Sequence, residues 1–205
     1  MKVLLINGSP NARGCTYTAL SEVASTLEKE GVETEILHVG QKDIRGCIDC
    51  RKCRQTGKCV FDDIVNETAQ KFEAADGIVI GSPVYFASAN STVISFITRL
   101  FYSTQFDKSM KVGAAVVSCR RGGASATFDE INKFFTISGM PVASSQYWNS
   151  VHGNTAEEVR QDLEGMQVMR TLGRNMAFLV KSIALGRAQY GLPEKEPRVA
   201  TNFIR

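Results

Sequence analysis

The chain has 205 residues, 43% of them hydrophobic and 22% charged, which are the proportions of an ordinary globular protein and exclude disorder and collagen-like order. Its net charge of +3, from 24 basic and 21 acidic residues, is too weak a balance to recruit nucleic acid or a membrane surface, so any acidic ligand must be held by a local site. No apolar run approaches the roughly 18 residues of a membrane span, and Met1-Lys2 leads into a strand-like run in place of a signal peptide; the expectation is a cytoplasmic protein folded as one domain over 1–205.

Met1 to Asn7 reads as a buried strand, because Val3-Leu4-Leu5-Ile6 is continuously apolar and Gly8-Ser9-Pro10 ends it. Apolar residues at helical spacing (Leu20, Val23, Ala24, Leu27) predict a helix over 16–30, stopped by Gly31. Residues 32–39 alternate as a second strand, and 77–81 give a short third one. A cysteine-rich insertion over about 45–60 lies between them, followed by a helix over 62–75 whose start is favoured by Asp62-Asp63. Asn90-Ser91 caps a helix to about Tyr102, 111–118 is a fourth strand, 125–138 a helix, and 141–147 the fifth strand. From Thr155 to Ala184 the apolar positions fit one long helix or a bent pair, and the rest of the C-terminal segment, to 205, is an extended tail.

Strands alternating with helices imply an α/β fold, a doubly wound five-stranded parallel sheet with helices on both faces, whose ligands bind beyond the carboxyl ends of the strands. Three such loops carry the chemistry. The first, residues 8–18 (GSPNARGCTYT), combines small residues, hydroxyls and a following helix N-terminus, the requirements of a phosphate cradle. It matches neither GxGxxG nor GxxxxGK[ST]. The second, 81–88 (GSPVYFAS), sets two aromatics beside a rigid proline turn, a wall for a flat ring. The third, 118–123 (SCRRGG), adds small residues and donors. Together they describe a site for a planar ring bearing a phosphate.

GSPNARGCTYT at 8–18 and GSPVYF at 81–86 resemble the flavodoxin-like NAD(P)H-dependent FMN reductases, over most of the chain. Asn11 departs from the pattern, where an arginine is common, and Arg13 supplies a charge nearby. The resemblance implies that Ser9, Asn11, Arg13, Cys15, Thr16, Tyr17 and Thr18 hold the FMN phosphate. By the same resemblance Pro83, Val84, Tyr85 and Phe86 hold the isoalloxazine, and Ser118, Arg120, Gly122 and Gly123 close over its edge. It also implies an oxidoreductase using NADH or NADPH, assembled as a homodimer or homotetramer; Met166, Met169, Phe178 and Phe203 look exposed and in need of a partner surface.

Cys47, Cys50, Cys53 and Cys59 place four thiols within thirteen residues. Zinc sites usually separate two CxxC pairs by a spacer of roughly a dozen or more residues, so zinc is a poor match. The spacing resembles the compact motif of the iron-sulfur flavoproteins, which implies a [4Fe-4S] cluster on these four residues and electron exchange with FMN and a redox partner protein. Geometry adds a condition: residues at i, i+3 and i+6 of a helix spread over about 120° and about 9 Å of rise, so a shared cluster requires residues 48–55 to form a loop. Metal-free thiols, reduced or disulfide-forming, and zinc remain open at this point. Cys15 and Cys119 read as small packing residues, His38 as structural, and His152 as a residue near the cofactor mouth. The competing function is a flavin-binding electron carrier or redox sensor that does not oxidise a nicotinamide; a hydrolase lacks its G-x-S-x-G elbow.

Overall fold

β1 (Lys2–Asn7) is an interior strand of the sheet, because its apolar run has to be buried on both faces. A computed structural model of the protein describes residues 1–197, 199–201 and 203. In chain order, β1 is followed by α1 (Cys15–Lys29), β2 (Glu33–His38), α2 (Cys53–Thr56), α3 (Ile64–Ala74), β3 (Gly77–Tyr85), β4 (Ser88–Ala89), α4 (Ser91–Ser103), β5 (Val112–Cys119), α5 (Ala124–Ile137), β6 (Ser150–His152), α6 (Ala156–Gln161) and α7 (Leu163–Tyr190). The sheet order is β2-β1-β3-β5-β6, all parallel, with β4 hairpinned antiparallel onto β3. Strand order reverses between β1 and β3, so the crevice for a ligand opens at their carboxyl ends.

Alternate side chains of the strands feed two cores. Val3, Leu5, Val79, Ala114 and Val116 pack against Leu20, Val23 and Leu27 of α1 and Met169, Leu172 and Met176 of α7. Leu4, Ile6, Ile78, Ile80 and Ala115 pack on the other face against Phe72, Phe96, Ile97, Leu100, Ile131 and Phe135 from α3, α4 and α5. Asp63 caps α3 by accepting from the Val65 amide at 3.0 Å, and Asn90 caps α4 by accepting from the Thr92 amide at 2.8 Å.

Three expectations need correction. The fifth strand is Ser150–His152, paired with Val117, Ser118 and Cys119, and residues 141–147 contribute only a single bridge from Val142 to Gly113. Ser145 is the cause: its Oγ donates to the Tyr147 carbonyl at 2.6 Å and lies 2.8 Å from Asn149 Oδ1, a side-chain turn that competes with the ladder and bulges the chain out before it rejoins β5. The third strand runs on through Pro83 to Tyr85. Beyond Gly81 it pairs with β5 and no longer with β1, and this edge tolerates a residue without an N–H. Met169 is fully buried under α1 and offers nothing to a partner, whereas Phe178 is exposed. Of the two C-terminal options, the bent pair is present: Asp162 ends α6 and caps α7 by accepting from the Gly165 amide at 2.9 Å.

Candidate functional site

The loops after β1 and β3 are fastened together where strand order reverses: the Gly8 amide donates to the Gly81 carbonyl at 2.9 Å. A Cβ on Gly8 would stand 2.6 Å from Val93 Cβ and 2.8 Å from the Gly81 oxygen, so only glycine permits this approach. The loop then folds on itself. Asn7 Oδ1 accepts from the Ser9 amide, Asn7 Nδ2 donates to the Ala12 carbonyl, and Ser9 Oγ accepts from the Asn11 amide, each at 3.1 Å. His38 supports the loop from β2, its Nε2 donating to the Ser9 carbonyl at 2.8 Å.

This folded loop delivers the N-terminus of α1 to the crevice. No side chain caps that end and no acidic residue lies in its first turn. Thr18 is the first helical amide to meet a backbone carbonyl, Gly14 O at 3.0 Å, so the amides of Cys15, Thr16 and Tyr17 face outward with the positive end of the helix dipole. Across the crevice Thr16 Oγ1 and Ser118 Oγ lie 2.8 Å apart.

The cavity so formed is lined by Ser9, Asn11, Cys15, Thr16, Pro83, Val84, Tyr85, Ser118 and Arg120, and also by Cys119, Gly153 and Asn154. The last two were missed by the sequence reading because it ended the fifth strand too early; the loop beyond a strand at 150–152 would have named them. Arg13 is exposed and Tyr17 half-buried, and neither lines the cavity. Thr18 is turned into α1, its hydroxyl donating to the Gly14 carbonyl at 3.1 Å. Gly123, at φ +90°, packs against Ala87 and Val84, and Gly122 lies beside it in the exposed turn. Phe86 is fully exposed at the tip of the β3–β4 hairpin, where it and Ala87 adopt φ of 53° and 58°. Burial raises the pKa of both Cys15 and Cys119, so they enter the site as neutral thiols, Cys15 donating to the Gly153 carbonyl at 3.6 Å. His152 lies outside the cavity, its Nδ1 3.7 Å from Asp162.

A second cavity gathers the cysteine segment. Cys47, Cys50, Cys53 and Cys59 all line it, with Ile48, Val60, Phe61, Arg99 and Tyr102. Residues 43–51 form neither helix nor strand, and Asp49 and Arg51 have φ of 49° and 58°, so the loop expected over 48–55 is present as far as Lys52, while 53–55 belong to the single turn α2. Cys53 opens the one-turn α2, whose Cys53 and Arg54 carbonyls accept from Gln105 Nε2 at 2.8 Å each. Cys59 is pinned by Asn66, which accepts from its amide at 2.9 Å and donates to its carbonyl at 3.1 Å. Cys47 and Cys50 are exposed. Among the described residues no group of three or more cysteine, histidine or acidic side chains is gathered closely enough to hold a metal ion.

Residues 1–155 match the NADPH-dependent FMN reductase family. The chain belongs to that family. It is an FMN-dependent oxidoreductase. An iron-sulfur flavoprotein of Methanocaldococcus jannaschii is 34% identical over 191 residues, 89% of this chain and 99% of that protein. Another from Methanosarcina thermophila is 29% identical, covering 91% of this chain and 99% of its own length. An archaeal flavodoxin superposes with a TM-score of 0.59 at 17% identity, over 88% of this chain and 99% of the other, which agrees with the 2-1-3-4-5 order of the parallel strands.

The residues of this FMN reductase-family protein fit the two groups differently. The uncapped α1 terminus suits a phosphate, and the Pro83-Val84-Tyr85 edge suits a ring. The four cysteines of the second cavity have the donor chemistry of an iron–sulfur site; Cys53 and Cys59 stand on anchored segments, and a shared cluster would require Cys47 and Cys50 to close onto them. Among the described residues no helix is long and apolar enough to cross a membrane.

Proposed function

We propose that FMN lies across the carboxyl ends of β1, β3 and β5, its phosphate on the outward amides of Cys15, Thr16 and Tyr17, with Ser9, Asn11, Arg13 and Thr18 in the surrounding loop. The ring rests on Pro83, Val84, Tyr85 and Phe86, with Ser118, Arg120, Gly122 and Gly123 at its edge. The observation that carries this reading is the uncapped, acid-free end of a fifteen-residue helix opening into the same cavity as the Pro83–Tyr85 wall. Bound there, FMN supplies hydride and electron transfer, and the chain's own groups bind and orient it. Thr16 holds a donor at the phosphate end, and the neutral Cys15 and Cys119 thiols exclude water without adding charge.

Cys47, Cys50, Cys53 and Cys59 are the proposed ligands of a [4Fe-4S] cluster that exchanges electrons with FMN; the thiol donor set, the loop and the character of the relatives support it. NADH or NADPH is the proposed hydride source, supported by the family, and a redox partner protein the further acceptor. The chain is a single domain, 1–205, working in the cytoplasm as a homodimer or homotetramer, a reading supported by exposed Phe178, Leu185 and Tyr190 on α7.

Purified protein should be yellow and release FMN on denaturation, and anaerobic NADH or NADPH should bleach the flavin band. Protein that takes up no FMN after reconstitution contradicts the site. A flavin reduced by dithionite and by neither nicotinamide reassigns the protein as an electron carrier. A light-scattering mass equal to one chain contradicts the oligomer.

A further inference from the structure

Arg99 lies on the flank of the apolar stripe of α4 formed by Val93, Phe96, Ile97 and Leu100, beside Ser103, yet its side chain is only 1% exposed; among the described residues it is the only buried charged residue. Its Nη1 and Nη2 meet Asp63 at 2.6 and 3.0 Å, its Nη1 donates to the Arg45 carbonyl at 3.2 Å, and its Cζ lies over the Phe61 ring, 5.0 Å from the centroid. The Nε side of the guanidinium is turned onto sulfur: Nε and Nη2 each stand 3.2 Å from Cys59 Sγ, and Nη2 also lies 3.3 Å from the Phe61 carbonyl.

Stability does not explain that choice of partner. Buried ion pairs are commonly no better than apolar replacements of the same volume, and sulfur is a weak acceptor on which to use two guanidinium donors. Two donors on one thiol do fix where the sulfur points, while Asn66 fixes the backbone of the same residue. They also place positive hydrogens against whatever negative charge that sulfur shares. Arg45 and Asp63 are the other charged residues touching this guanidinium, Arg45 through its carbonyl alone.

We propose that Arg99 is a positioning residue that orients Cys59 as a cluster ligand and, through its two N–H···S contacts, sets the reduction potential of the cluster. The inference rests on the reading of the four cysteines as a [4Fe-4S] site. Donors to ligand sulfurs stabilise the reduced, more negative state and raise the potential, and burial strengthens the effect.

The test is an EPR-monitored anaerobic redox titration of reconstituted protein, with iron and FMN assayed on each sample. Arg99→Lys keeps the charge and loses the fork. It should retain FMN and native circular dichroism while its cluster becomes harder to reduce by about tenfold in the equilibrium constant, about 59 mV for one electron. Because Arg99→Lys leaves the partly buried Asp63 with one contact in place of a bidentate pair and can fail to fold, the double variant Arg99→Gln, Asp63→Asn removes both charges together and should show a shift in the same direction. A variant that keeps FMN and fold but assembles less than half the iron also supports the positioning role. A change below threefold at full iron overturns it, and so does loss of fold in both variants, which would assign Arg99 to packing alone. Wild-type protein that takes up no iron overturns the cluster reading and this inference together, whereas an iron-loaded wild type with an unmoved variant overturns only the role of Arg99.

Discussion

Thr16 Oγ1 and Ser118 Oγ are separated by 102 residues in sequence and 2.8 Å in space. Thr16 belongs to the first turn of α1 and Ser118 to the end of β5, so this contact ties the uncapped end of the helix to the far wall of the cavity. Both residues are buried. Each hydroxyl can rotate, so either can present a hydrogen to an anion while the other accepts.

Replacing Thr16 by Val keeps the shape and removes that donor. Hydrogen bonds to charged groups are worth about 1.5–3 kcal/mol, so Thr16→Val should weaken FMN binding by about 10- to 100-fold, and it should lower apoprotein stability by about 1 kcal/mol because the buried Ser118 hydroxyl loses its partner. Fluorescence titration of FMN measures it. An unchanged Kd would place the phosphate away from the α1 terminus.

The β3–β4 hairpin has two loop residues, Phe86 and Ala87, both at positive φ. This is the geometry of a type I′ turn, which favours Asn-Gly. Holding other residues there costs about 1–3 kcal/mol each, and the exposed Phe86 ring recovers none of that by burial. Changing Phe86-Ala87 to Asn-Gly should therefore raise apoprotein stability by about 1–2 kcal/mol while weakening ring binding or flavin reduction. Thermal unfolding with and without FMN separates the two effects; a destabilised hairpin variant would refute the strain argument.

How much of this was legible in the sequence depends on the range of the forces involved. β1, α1 and the Asn90 cap of α4 follow from local pattern, and the site loops follow from knowing which strand ends face the switch point. Residues 141–147 misled because Val142 and Ala143 look strand-like, while the Ser145 side-chain turn that interrupts pairing depends on Asn149 folding back onto it. Gly153 and Asn154 were lost with that error. Met169 looked exposed because nothing in its own helix announces α1 lying on top. Arg99 gave no signal at all: a lone arginine beside an apolar stripe declares itself only once Asp63 and Cys59 arrive from another segment.

Burial raises the pKa values of Cys15 and Cys119 above the ordinary thiol value of 9.0. In the interval between the unfolded and folded values the native state holds protons that the unfolded state has released, so stability falls as pH rises past 9. Below that the two thiols are neutral in both states and contribute no slope. Since thiolate is the nucleophile, iodoacetamide should label both slowly at pH 7.5 in native protein, and more slowly than in urea. Peptide mapping by mass spectrometry reads this, and rapid native labelling of either would show a reactive thiol in the flavin site.

The cysteine array makes the sharpest compositional prediction. Cys53 and Cys59 stand on segments fixed by Gln105 and Asn66, whereas Cys47 and Cys50 ride an exposed loop, so cluster assembly should be limited by closure of that loop. Anaerobically reconstituted protein should hold about four iron per chain, the content of one four-thiolate [4Fe-4S] centre. Cys50→Ser should lower iron sharply while leaving FMN content unchanged, because the proposed flavin cavity shares no lining residue with the cysteine cavity. Thiolate ligation also makes assembly depend on deprotonation, so iron uptake should fall as the reconstitution buffer is acidified. Iron-free wild type after anaerobic reconstitution would leave four metal-free thiols, and a stoichiometric zinc content would identify the other metal.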